Sequence, residues 1–301
     1  MFSYFPKTAA AGLAAAAVLT ACAGENGTAS DPDGELQIVA AMYALEFLAD
    51  EIAGERAEVT SLTPAGVDPH DLELTTSAVV QLDEAVVVYL SGFQAAVDDA
   101  VAATDPMAAL DVAGPADVTA FDADGQPIEG TSVDPHFWLD FDRMSAVAEY
   151  VAAELGEIDP EGAEHYAERA EALQADFAAL DAEYSEGLAE CETRTVVAAH
   201  EAYGYLAYNY DLEQMGLSGL DPESEPSPAR LAEVRRVVEA SGVSTIYAED
   251  LINPAVAEAF AQDLGISVAM LDPAEMEPEG GDYRQAMRDN LEALREGLGC
   301  A

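Results

Sequence analysis

The chain has 301 residues, 50% of them hydrophobic, enough to bury a sizeable core, and sets 11 basic residues against 59 acidic ones for a formal charge of −48. That charge excludes a general nucleic-acid or anionic-membrane surface, since both would repel it. The acids are scattered through amphipathic segments that also carry Leu, Val and Tyr, which reads as a solvated shell rather than a disordered tail. Adaptation to high salt, or enrichment of cations near the surface, would account for such a shell.

Residues 1–21 read as a signal peptide. Lys7 supplies the positive region, and the apolar stretch from Ala9 to Leu19 is too short to span a bilayer. It ends Leu19-Thr20-Ala21-Cys22, which resembles a bacterial lipobox with lipidation at Cys22. Cleavage there would leave ten arginines against 59 acids. Residues 22–35 have turn-former composition and read as a flexible tether to the outer face of the cell membrane, the lipid being the only membrane contact. Export implies an oxidising compartment, and Cys191 and Cys300 then remain as an even pair, expected to form a disulfide.

In chain order, Leu36 to Ala40 is a short apolar strand, followed by helical spacing from Ala44 to Ala53. Glu58 to Leu62 is a second strand, running into a loop that holds His70. The β-branched run Ala85 to Tyr89 suits a parallel strand buried on both faces. Phe141 to Leu155 has helical spacing. Asp159-Pro160 then predicts N-cap and N1 of a second, longer helix. In it Tyr166, Ala170, Leu173, Phe177, Leu180 and Tyr184 form one narrow stripe, and about 28 residues would run about 42 Å. His165 falls one residue off that stripe and is expected at the surface. Strands at Thr195–Ala199, Thr245–Ala248 and Ser267–Leu271 then alternate with helices at Ala229–Ala240, Pro254–Asp263 and Tyr283–Leu298. The pattern predicts an α/β fold of two lobes, residues 36–158 and 191–301, each with a mostly parallel sheet flanked by helices. A long rigid helix within residues 159–190 joins them, with a metal site in the cleft between.

That site is expected from repetition and placement. Val67-Asp68-Pro69-His70 recurs as Val133-Asp134-Pro135-His136, and these hold two of only four histidines. His200 follows an apolar strand, and Glu249 and Asp272 also sit just past strand ends, where open parallel sheets bind ligands. Three imidazoles and one carboxylate suit zinc, which takes N and O donors tetrahedrally, better than manganese, which prefers more oxygen. Asp68, Asp134 or Glu249 could hold the outer N–H of a ligand ring.

Several segments fall in the order found in one family. They are LTPAGVDPHDLEL from Leu62, DPHFWLD from Asp134, AHEAYGYLA from Ala199 and MLDP from Met270. They are similar to the metal-binding lipoproteins of zinc and manganese ABC importers, the cluster A-I, ZnuA/TroA-like solute-binding proteins. The resemblance runs from Leu36 to Cys300. It implies a monomeric, non-enzymatic binding protein that captures Zn²⁺ outside the membrane and delivers it to a membrane permease. His70, His136, His200 and Asp272 would be the ligands. Manganese-type members place a carboxylate at the third position, where this chain has His200 with Glu201 beside it. Many zinc members carry a histidine-rich loop before the second ligand. Residues 121–133 hold only Asp122, Asp124 and Glu129 in its place. Two other classes share parts of this pattern. A zinc hydrolase would use three histidines, an open position and a base such as Glu249 or Glu201. An adhesin-like surface lipoprotein would hold its metal structurally.

Overall fold

The structure is a computed structural model that describes residue 1 and residues 36–121, 125–128, 133–249, 254–278 and 280–301. The leader, Cys22, the tether, and Asp122, Asp124 and Glu129 lie outside the described residues.

The first sheet is built from β1 (Leu36–Ala40), β2 (Ala57–Ser61), β3 (Val86–Tyr89) and β4 (Ala108–Asp111), all parallel, in the order β2-β1-β3-β4. Val86, Val87 and Val88 of β3 are all buried, as a parallel strand covered on both faces requires. Helices α1 (Tyr43–Ala53), α2 (Thr76–Gln81) and α3 (Ala95–Ala103) connect these strands. A small antiparallel pair, β5 (Ala120–Phe121) with β6 (Pro127–Ile128), precedes α4 (Phe141–Ile158). After α5 (Ala163–Gly187) comes the second sheet, again parallel: β7 (Thr195–Ala198), β8 (Glu213–Gly216), β9 (Thr245–Ala248) and β10 (Ser267–Met270), in the order β10-β9-β7-β8. Its helices are α6 (Gly204–Asn209), α7 (Pro228–Ser241), α8 (Ala255–Leu264) and α9 (Tyr283–Leu298).

Helix α5 packs on α1, α4 and α9 and so touches the helical layers of both sheets. The six residues of its apolar stripe, Tyr166 to Tyr184, are all buried. A single core runs from Ile38 through this stripe to Leu294, and a smaller one lies between β7, β9 and helices α7 and α8. Arg284 of α9 reaches Glu51 of α1 at 3.0 Å and Asp176 of α5 at 2.7 Å, tying three helices together at the rim. Cys191 and Cys300 form a disulfide that fastens the end of α9 to the segment after α5.

Two local expectations are corrected. Helix α5 starts at Ala163, not Pro160, and spans 25 residues, about 37 Å. The reason lies in Asp159. Its carboxylate accepts from Arg56 at 2.6 Å and from the Tyr166 hydroxyl at 2.8 Å, so it closes a turn onto Gly162 rather than capping a helix at Pro160. Gly162 is required there: a Cβ would sit 2.4 Å from both Arg56 Nε and Asp159 Oδ2. His165, expected at the surface, is half-buried, and its Nε2 lies 3.0 Å from the carbonyl of Ala53 at the end of α1.

Candidate metal centre

Loops from the two sheets bring four donors together. His70 follows β2, His136 precedes α4, His200 follows β7 and Glu275 follows β10. Each offers one ligand atom, and those four atoms all lie within 4.8 Å of one another. Glu275 Oε1 is 3.2 Å from His70 Nε2, 3.1 Å from His136 Nε2 and 3.6 Å from His200 Nε2. The two facing nitrogens of His136 and His200 are 3.4 Å apart.

Both Val-Asp-Pro-His segments make the same turn. Asp68 Oδ1 accepts from the His70 backbone N–H at 2.8 Å, and Asp134 Oδ1 does so from that of His136 at 2.9 Å. The proline between fixes φ and stiffens the turn. Only in the second segment does the same aspartate also reach the ring, at 2.7 Å from His136 Nδ1. Glu249 does this for His200, with Oε2 2.6 Å from Nδ1. An ionised carboxylate only accepts, so Nδ1 carries the hydrogen in both rings and Nε2 is the atom presented inward. Gly204 of α6 lets this assembly close, since a Cβ there would stand 2.6 Å from Asp134 Oδ2.

The surroundings are apolar. Trp138 packs edge-on to His136 at 5.2 Å, and Phe93 edge-on to His70 at 4.9 Å. His136, His200, Glu249 and Glu275 are buried, whereas the His70 side chain keeps 13% exposure and faces an opening shared with Gly92, Val133 and Leu220. Burial opposes charging of His136, but Asp134 and Glu275 outweigh it and raise its pKa. At His200 burial is likewise overcome by Glu249 and Glu275, and the ring is pushed up to about 10. Burial alone would raise Glu275; hydrogen bonds from the three imidazoles hold its carboxyl well below the usual carboxylate range. The metal-free site is therefore an ionised carboxylate facing two buried imidazoles, His136 and His200, that hold their protons tightly.

Asp272 stands outside the four-donor group. Its Oδ1 accepts from Ala274 N at 2.8 Å and its backbone N–H donates to Asn290 Oδ1 at 2.8 Å, so it shapes the loop that carries Glu275. Glu201 is turned away toward Arg230, with which it pairs. Glu275 went unrecognised in the sequence; its only signal is its position three residues past Asp272 on the same strand-end loop.

Two parallel four-stranded sheets linked by a long helix, with three imidazoles and a carboxylate converging from separate loops, have the architecture of a solute-binding protein with a candidate metal centre. The chain belongs to the ZnuA family, described as zinc-uptake complex component A, periplasmic, whose model matches residues 38–297. It is 30% identical over 295 residues to the zinc-binding lipoprotein AdcA of Streptococcus pneumoniae, covering 92% of this chain and 58% of that protein. The chain thus spans little more than half the length of that relative. It is 26% identical to the high-affinity zinc uptake system protein ZnuA of Bacillus subtilis, over 95% of this chain and 96% of that one. Among solved structures, laminin binding protein Lmb of Streptococcus agalactiae, described as bifunctional with adhesin and metal transporting activity, superposes with a TM-score of 0.78. It is 31% identical, over 88% of this chain and all of that one. A Zn(II)-bound mutant variant of AdcAII from Streptococcus pneumoniae gives 0.78 at 26% identity, covering 89% and 100%.

Proposed function

We propose that the chain captures Zn²⁺ outside the membrane and hands it to the permease of an ABC importer, with His70, His136, His200 and Glu275 as ligands. The observation that carries this is the convergence of four donor atoms within 4.8 Å from four separate loops. Three nitrogens and one oxygen suit a tetrahedral zinc better than manganese, which asks for more oxygen. The exchange of Asp272 for Glu275 leaves that donor set unchanged. A hydrolytic zinc site would keep its fourth position open for water, whereas here Glu275 faces all three rings. Attachment at the outer face of the membrane through lipid on Cys22, and function as a monomer, complete the proposal. Among the described residues no helix is long and apolar enough to cross a membrane.

The test is competition between Zn²⁺ and Mn²⁺ for the metal-stripped protein. One tightly bound Zn²⁺, favoured over Mn²⁺ by orders of magnitude, is expected; comparable affinities would overturn the nitrogen-rich ligand set. The likeness to Lmb motivates adhesion as a second role, which binding of laminin to immobilised protein would reveal.

A further inference from the structure

The loop that delivers Glu275 runs from the end of β10 to α9, and three consecutive carbonyls in it are each held by a buried side chain. The Tyr203 hydroxyl donates to Leu271 O at 2.9 Å, Asn290 Nδ2 to Asp272 O at 2.7 Å, and Trp138 Nε1 to Pro273 O at 2.8 Å. Asn290 also accepts from the Asp272 backbone N–H at 2.8 Å, so that residue is gripped on both sides. Trp138, Tyr203 and Asn290 are all buried. The next residue, Ala274, has φ 55, a left-handed conformation that a residue with a Cβ adopts only when its surroundings impose it. Glu275 follows directly.

Two of these anchors come from segments that also carry a histidine of the site. Trp138 is two residues past His136, and its carbonyl in turn accepts from the Tyr283 hydroxyl of α9. Tyr203 is three residues past His200. The hydrogen bonds therefore link the His136 loop, the His200 loop and the Glu275 loop independently of any metal.

Resting on the ligand set proposed above, we infer that Trp138 and Asn290 are positioning residues that pre-set the Glu275 carboxylate against the histidines. Their role is to hold Oε1 on the Nε2 atoms by fixing Pro273 and Asp272, without touching the metal themselves. Removing either frees the loop and lets the Ala274 turn relax. The carboxylate then has to be ordered when metal arrives, and it is free to offer a second oxygen. Zinc affinity should fall, and the margin of zinc over manganese, which accepts more oxygen donors, should narrow.

The experiment is a double-mutant cycle on metal-stripped protein, read as Zn²⁺ affinity by chelator competition and as the Zn²⁺/Mn²⁺ affinity ratio. Trp138→Phe keeps the ring and removes the N–H, and Asn290→Leu keeps bulk and removes both amide contacts. Each should weaken Zn²⁺ binding by about tenfold and lower the ratio. In a Glu275→Ala background either change should alter affinity less than twofold, because the group being positioned is gone. Leu155→Ala, buried near the end of α4 remote from His136, controls for general loss of stability and should leave the ratio unchanged. Equal losses with and without the Glu275 carboxylate, or no loss from Trp138→Phe and Asn290→Leu, would overturn the positioning role. Full Zn²⁺ affinity in Glu275→Ala alone would instead remove Glu275 from the ligand set.

Discussion

The two Val-Asp-Pro-His segments share a sequence and a backbone turn, yet they make histidines of different character. His136 is fully buried, and its ring is held by Asp134, which is sealed beneath Gly204 and the Tyr205 hydroxyl that donates to its carbonyl at 2.8 Å. His70 sits at an opening, and Asp68 holds its backbone while its ring leans on Phe93. A four-residue motif can thus set a turn, but packing around it sets the burial of the ring and the partner its outer nitrogen finds.

Breaking the stronger half should cost most. A structural zinc site binds with roughly 10–16 kcal/mol, so removing one of four ligands is worth about a quarter of that, on the order of a few hundredfold in affinity. His136→Ala should show this loss in chelator competition, with a far-UV spectrum like that of the native chain.

Protons should also move affinity. His200, pushed up to about 10, enters neutral solution with a proton on Nε2 that zinc must displace, and His136 is raised in the same direction. Affinity should climb with pH from about 6.5 toward about 10, the value for His200, with a slope of about one proton, about tenfold per unit, and steeper where His136 also gives up its proton. Calorimetry in buffers of different ionisation enthalpy near pH 8 should record that proton release. The sign for stability is opposite. Groups raised by folding stabilise the metal-free fold fully below their unfolded pKa, and this contribution is lost as pH rises through the folded value. The melting temperature of stripped protein should therefore fall between about pH 6.5 and 10, while the increment from added Zn²⁺ grows.

Asp134→Asn keeps the turn but takes the charge off the ring's partner, and should weaken Zn²⁺ binding about tenfold to a hundredfold, the usual effect of losing such a support. His70→Ala should cost about tenfold, because water entering from the open side can take the vacated position. Asp68→Asn, which touches only a backbone N–H, should change affinity less than about threefold, since the amide oxygen still accepts that bond. Equal effects at the two aspartates would remove the distinction drawn between the two histidines.

Much of this was legible in the residues themselves. Strand runs such as Ala85 to Tyr89, the α5 stripe, the repeated Val-Asp-Pro-His and His200 past its strand are short-range patterns, and tertiary packing left them in place. Glu249 was visible at the end of β9 for the same reason. The fourth donor was not. Asp272-Pro273 carries the strand-end signal, but the chain turns once more through Ala274, an alanine in a conformation no local rule assigns to it. In a chain with 59 acids, a glutamate three residues further on has nothing to mark it. What selects Glu275 is long-range, the grip of Trp138, Tyr203 and Asn290 on the preceding carbonyls. Asp159 shows the same limit: its pairing with Arg56, 103 residues away, overrides a sound local helix-start signal.

The most direct test of the central claim is anomalous scattering at the zinc edge from crystals of the zinc-loaded protein. One strong peak is expected about 2.0–2.2 Å from Nε2 of His70, His136 and His200 and from a Glu275 oxygen, with Asp272 still bonded to Ala274 N. A peak on Asp272, or one that misses His136 or Glu275, would contradict it.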